Sequence, residues 1–96
     1  MALKYTNSNS VEKYVKIDKV RVDNVSKVNR VMYSEQPYIA DPVQQAAGNA
    51  TAMVLGTPDS HAEVDVPFAD VTAGDIMAAG YAKLKLDAKY SSAVNV

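Results

Sequence analysis

From His61 to Phe68 the chain alternates without a break: Ala62, Val64, Val66 and Phe68 share one parity, His61, Glu63 and Asp65 the other. Successive side chains of a strand point to opposite faces, so this segment buries one side and shows the other to water. A strand of that kind needs partners to pair with and a layer to cover its apolar side. Residues 11–22 supply a second strand. Val11, Val15 and Ile17 share one parity and Val20 and Val22 the other, a change that a one-residue β-bulge near Asp18-Lys19 accommodates. Asp23-Asn24 is turn chemistry. A strand over Lys27 to Tyr33, with Val28, Val31, Met32 and Tyr33 as its bulk, then pairs back as a hairpin.

Ala50 to Leu55 is apolar on both faces, the pattern of a central strand, and Gly56-Thr57-Pro58-Asp59-Ser60 has the composition of a turn joining it to 61–68 as a second hairpin. Pro67 falls near a strand end, where a missing donor is tolerated. Between the hairpins, Pro37 and Pro42 weaken regular structure and Gly48-Asn49 ends any helical turn at Gln44-Gln45-Ala46-Ala47. Residues 34–49 therefore read as a long loop of the kind that contacts a partner. A helix follows. Thr72 stands at the N-cap position with Asp75 three residues on, and Ile76, Met77, Gly80, Tyr81 and Leu84 form an apolar stripe. Lys83 and Lys85 suit its negative end. Gly80 costs about 1 kcal/mol against Ala inside a helix, which close approach of a neighbouring backbone would offset. The expectation is one α+β domain over residues 11–86, a small antiparallel sheet of two hairpins with one C-terminal helix packed on it. Residues 1–10 form an extended N-terminal arm, and residues 87–96 a C-terminal tail.

A 96-residue chain buries about 60–70% of its unfolded surface and has little stability to spare. It has no cysteine, so disulfides and thiolate metal sites are excluded, and oligomerisation is the staple that remains. The charges are sorted in a way that suits oligomerisation. Between Arg30 and Lys83 there is neither Lys nor Arg, while Glu35, Asp41, Asp59, Glu63, Asp65, Asp70 and Asp75 all fall there. Residues 1–30 are net basic, and the whole chain is −1. Separated signs on a nearly neutral chain favour contacts between copies, basic surface to acidic surface. Residues 1–10 have no apolar run resembling a secretory signal, and no stretch approaches the length of a membrane span. A soluble protein made in a reducing compartment is expected.

The chemistry-bearing residues are few. His61, Glu63 and Asp65 would share a strand face, but neighbours two apart lie about 6.6–7 Å from each other along a strand. One ion reaches two of them at most, so His61 and Glu63 are weak metal candidates and no cofactor is expected. Asp59, Ser60 and His61 are adjacent on a turn, whereas the members of a catalytic triad converge in space. The four glycines are isolated and make no phosphate cradle. Lys13, Lys16, Lys19 and Arg21, interleaved with Tyr5 and Tyr14, suit phosphates and stacked bases. Glu12, Asp18 and Asp23 dilute them, and a pI of about 5.7 is far from a strongly basic footprint.

The Lys/Val-rich paired strands, the run Val64-Asp65-Val66-Pro67-Phe68-Ala69-Asp70-Val71-Thr72 into one capped helix, and the opening Met1-Ala2-Leu3-Lys4 resemble the small accessory structural proteins of tailed-bacteriophage virions. Those are head decoration or cement proteins and small tail or connector components. The resemblance implies a non-enzymatic subunit present in many copies in a virion and made in the host cytoplasm. It also implies copies of itself and other virion proteins as partners, with no small-molecule substrate and no membrane. On this reading Leu3, Tyr5, Lys13, Lys16, Lys19 and Arg21 of one subunit face Asp59, Glu63, Asp65 and Asp70 of another. The alternative is a small binding module contacting nucleic acid through Lys13 to Arg21.

Overall fold

The computed structural model describes residues 2–71 and 75–96. Along the chain come β1 (Leu3–Thr6), β2 (Glu12–Asp23), β3 (Val28–Ala40), α1 (Pro42–Ala46), β4 (Met53–Leu55), β5 (Ser60–Pro67), α2 (Ile76–Lys85) and β6 (Val94–Asn95). Single 3-10 turns occupy Phe68–Asp70 and Ala88–Tyr90. Every pairing among these strands is antiparallel, in the order β4-β3-β2-β1-β6, with β5 also on β3. The class is α+β, as the sequence patterns predict.

The β2–β3 hairpin turns at Asp23, whose Oδ1 accepts from the amides of Val25 and Ser26 at 3.0 Å each. Lys27 then takes a left-handed backbone, φ 58°. The register slips between Ile17 and Lys19, the bulge that the parity change requires. It lets Val15 and Ile17 and, past it, Val20 all face inward against α2 and its neighbours.

The second hairpin differs from expectation. β4 and β5 do not pair with each other; both lie on the same edge of β3. Met53–Leu55 pairs with Tyr38–Ala40, and Ser60–Pro67 pairs with Val28–Glu35. Together they are one long strand interrupted at Gly56–Asp59, where the Gly56 amide donates to the Pro37 carbonyl (2.8 Å) and the Asp59 amide to the Glu35 carbonyl (3.0 Å). Residues 34–49 are accordingly not a loop. β3 continues to Ala40, and Asp41 caps α1 by accepting from the amides of Val43 and Gln44. β4 is a short edge strand exposed on both faces, where its composition suggested a central one.

Both ends also differ. Leu3–Thr6 pairs with β2 on one side and with β6 on the other, and Ala2 and Val96 exchange both backbone hydrogen bonds at 3.1 and 3.0 Å. The alternation of Leu3 and Tyr5 against Lys4 and Thr6 drives this. Its apolar parity enters the core, which comprises Leu3, Tyr5, Val15, Ile17, Val31, Val66, Tyr81, Leu84, Tyr90 and Ala93. The expected arm and tail thus lie on the chain's own body.

α2 seals the concave side. Asp75 is its N-cap, accepting from the Ala78 amide at 2.9 Å; Thr72, the expected cap, lies outside the described residues. Gly80, Tyr81 and Leu84 are buried, and the Tyr81 hydroxyl accepts from the Ile17 amide at 3.0 Å, beside the bulge. A Cβ on Gly80 would stand 2.7 Å from Ile17 Cδ1 and 3.4 Å from Val31 Cγ1. The close approach that this glycine permits is therefore to side chains of the sheet rather than to a backbone.

The molecule measures 54 × 23 × 22 Å, with a radius of gyration of 15.7 Å. A compact domain of this length has about 12.5 Å. The residues of β4 and α1, none of them buried, contribute to the excess as a projection beyond Pro37.

Candidate assembly surfaces

Beyond Pro37, β3 and β4 continue as two strands capped by α1, and neither α1 nor β4 contains a buried residue. The register places Ile39 opposite Val54 on one face of this arm, with Tyr38 opposite Leu55 and Ala40 opposite Met53 on the other. Ile39, Val43, Met53, Val54 and Leu55 are all exposed, Val43 at 73%. Tyr38 anchors the root: its ring meets Tyr14 edge-on at 6.4 Å, and the Lys4 ammonium lies over it at 5.1 Å. A two-stranded ribbon that shows apolar side chains on both faces beyond its root is marginal in water. Covering the five aliphatic side chains is worth about 1 kcal/mol apiece, since each is already part-shielded.

The outer face of the sheet holds the charges in rungs across β2, β3 and β5: Lys16–Ser34–His61, Lys19–Met32–Glu63 and Arg21–Arg30–Asp65. Arg30 stands between the signs, 3.1 Å from Asp23, 3.7 Å from Asp65 and 3.9 Å from Glu63. The Ser26 amide and then the Arg30 guanidinium hold the Asp23 carboxyl down at about 2. Lys16, Lys19 and Arg21 are exposed and have no carboxylate partner among the described residues. An open depression of about 570 Å³ over Met32 is rimmed by Asp18, Lys19, His61 and Glu63. His61 and Glu63 do share this face, but no group of three His, Cys, Asp or Glu among the described residues is placed to hold a metal ion.

Three of the remaining expected contact residues are used inside the fold. Leu3 and Tyr5 are core residues, and Lys13 is buried with its ammonium on Asp59, which corrects their expected place on a neighbour's surface. Asp70 is exposed on the 3-10 turn after β5. Glu35, buried at 3% exposure, accepts from the hydroxyls of Tyr5 and Tyr90 and pairs with the Lys89 ammonium at 2.7 Å. Burial pushes its carboxyl up, but Lys89, Tyr5 and Tyr90 overcome that and hold it below the usual carboxylate range. Burial and the same carboxylate raise both tyrosines.

At the pole opposite the arm, a pocket of about 350 Å³ is lined by Val22, Asn24, Asn29, Phe68, Val71 and Ile76. Asn29 is 2% exposed. Its amide nitrogen makes one long bond to the Val66 carbonyl, 3.5 Å, and its Oδ1 has no partner among the described residues. Comparison with protein-family models, curated proteins and solved structures finds no match to this chain. No described helix is long and apolar enough to cross a membrane.

Sequence reasoning missed the arm's apolar residues and the orphaned Asn29. The arm had a signal: Ala50–Leu55 is apolar on both parities, and an edge strand with that pattern is as demanding of cover as a central one. Asn29 had none, because one Asn in a strand pattern says nothing of its partners.

Proposed function

We propose that this protein is a non-enzymatic structural subunit of a tailed-bacteriophage virion, assembling in many copies on a head or tail. The observation that supports this best is the arm of residues 38–55, a projection that buries nothing of its own and shows Ile39, Val43, Met53, Val54 and Leu55 to solvent. Such a device gains its stability only when another chain covers it. Charge contributes through the open row Lys16, Lys19 and Arg21. Its share is smaller than the sequence suggests, because Lys4, Lys13, Arg30 and Lys89 are matched to acids within the chain, and exposed ion pairs are worth about 0–1 kcal/mol each.

The test is removal of the arm. The Gly56 amide already meets the Pro37 carbonyl, so deleting 38–55 and closing with a short turn leaves the core intact. Light scattering and native mass spectrometry should find the full chain in multimers or bound to purified virions, and the armless chain a folded monomer that binds neither. A full-length chain that remains monomeric at high concentration and ignores virions refutes the proposal.

The same open row favours a second reading, a module contacting nucleic acid. Neutralising Lys16, Lys19 and Arg21 together would then flatten the salt dependence of binding by about three phosphate contacts. An unchanged slope rejects that reading.

A further inference from the structure

The outer face of the sheet is its own electrical complement. β2 contributes Lys16, Lys19 and Arg21, β5 contributes His61, Glu63 and Asp65, and β3 runs between them. All six residues are exposed, and the three cations have no carboxylate partner among the described residues. The basic row and the acidic row are two strand spacings apart, about 10 Å. Sheets packed face to face keep their strands within about 30° of each other, which leaves two directions for a two-fold axis between identical faces. An axis across the strands sets β2 on β2 and β5 on β5, like charge on like. An axis along β3 sets β2 of each copy on β5 of the other and keeps every rung at its own level. Lys19 then meets Glu63 and Arg21 meets Asp65, each contact made twice. We infer that two copies pair face to face about a two-fold axis along β3, the basic row of each on the acidic row of the other.

The middle of the face suits this contact. Met32, on the axis, floors the open depression of about 570 Å³ that Lys19 and Glu63 help to rim. The Lys19 stem of the second copy covers Met32 there while its ammonium stays at Glu63. Arg30, also on the axis, faces its own copy, but Asp23 at 3.1 Å, Asp65 at 3.7 Å and Glu63 at 3.9 Å already balance its charge. Asp18, at the bulge, falls between Lys16 and Lys19 along the row. A phosphate polymer fits less well, since the acidic row repels it beside the basic one. The contact is small: three strands over the five residues Arg30 to Ser34 fall short of the roughly 20–30 residues a side of a standard interface. Complementary charges govern encounter and register more than affinity, so this face orients two copies and the arm provides the hold. An axis along β3 preserves strand direction, and both arms therefore leave the pair at the same end. Whatever covers them meets two arms at once, with the avidity that linkage confers. This inference rests on the assembly reading above and specifies its symmetry.

Charge exchange and a distance measurement test it, both on the full chain. Lys19→Glu with Arg21→Glu makes the basic row acidic; Glu63→Lys with Asp65→Lys makes the acidic row basic. At low salt each double variant alone should associate at least about tenfold more weakly than wild type by sedimentation, because like charges now face each other. Mixed one to one, the two should recover wild-type association to within about threefold, since each row again meets its opposite. The distance measurement involves neither variant. The chain has no cysteine, so Val25→Cys, at the hairpin tip and 94% exposed, takes a single spin label. An axis along β3 puts the two tips at one end, about 15–25 Å apart across the space between the sheets, whereas an axis across the strands puts them about 40 Å apart. A mixture that associates no better than its components, the absence of the short tip-to-tip distance, or a face that takes single-stranded DNA in place of a second copy each overturns the pairing. The assembly reading is judged apart from these, by whether the full chain multimerises or binds virions while the armless chain does neither.

Discussion

Glu35 ties three distant pieces of chain together: Tyr5 from β1, Tyr90 and Lys89 from the turn after α2, and its own strand β3. The short β6, which would otherwise fray, is held by its pairing with β1 and by the Ala2–Val96 exchange. Replacing Tyr90 with Phe removes a hydrogen bond to a charged acceptor, worth about 2 kcal/mol, and should lower the melting temperature by about 8–16 °C in a domain of this size. The pH dependence follows from the sign of the shift. Glu35 titrates below its unfolded value, so the native state favours its ionised form. That stabilisation is complete above the unfolded carboxylate range and is lost as pH falls through the folded pKa. Urea denaturation across an acid series should show stability falling on that limb, and Glu35→Gln should be less stable at neutral pH with a shallower acid limb. An acid limb of equal steepness in Glu35→Gln would remove Glu35 from this role.

At the level of elements, the helix seats on the sheet through the absence of one side chain. Gly80→Ala gains about 1 kcal/mol of helix propensity, yet its methyl meets Ile17 Cδ1 at 2.7 Å in a packed core, where overfilling costs about 1–3 kcal/mol. The single substitution should be destabilising by about 1 kcal/mol. Ile17→Val alone leaves a small void costing about 0.5–1.5 kcal/mol. Combined, the added methyl occupies the vacated space, so the double variant should be more stable than the sum of the singles; strict additivity would show that the two do not touch. These same elements show how far the sequence could be read. The β2 bulge was legible because an apolar parity change has one simple geometric solution, and the helix because its stripe is local; its cap is Asp75, which the sequence pattern set one turn inside, and Met77 of the stripe is exposed. The β4–β5 relation was not legible. Gly56 to Ser60 suits a turn and equally suits an interruption within one strand, and only the length of β3, 13 residues, decides that both segments fit along it. The charge pattern misled for a related reason. Linear sorting of signs says nothing of register, and register sets Arg30 among Asp23, Glu63 and Asp65.

For the whole molecule, the balance between apolar and ionic contact is open to measurement. Five aliphatic side chains on the arm offer several kcal/mol on being covered, whereas the open cations Lys16, Lys19 and Arg21 offer at most about 1 kcal/mol each, and less in salt. The Debye length shrinks from about 10 Å at 0.1 M ionic strength to about 3 Å at 1 M. A particle cemented by opposite charges would dissolve over that range. One joined by the arm would persist, and a kosmotropic salt such as sulfate would tighten it. Sedimentation across a chloride series and a sulfate series should therefore show association nearly level in the first and rising in the second. Lys16→Gln with Lys19→Gln and Arg21→Gln should slow assembly at low salt without abolishing it, because steering changes the encounter rate more than the final affinity. If chloride alone disperses the multimers and the triple variant never assembles, the outer-face charges are the principal contact and the arm is secondary.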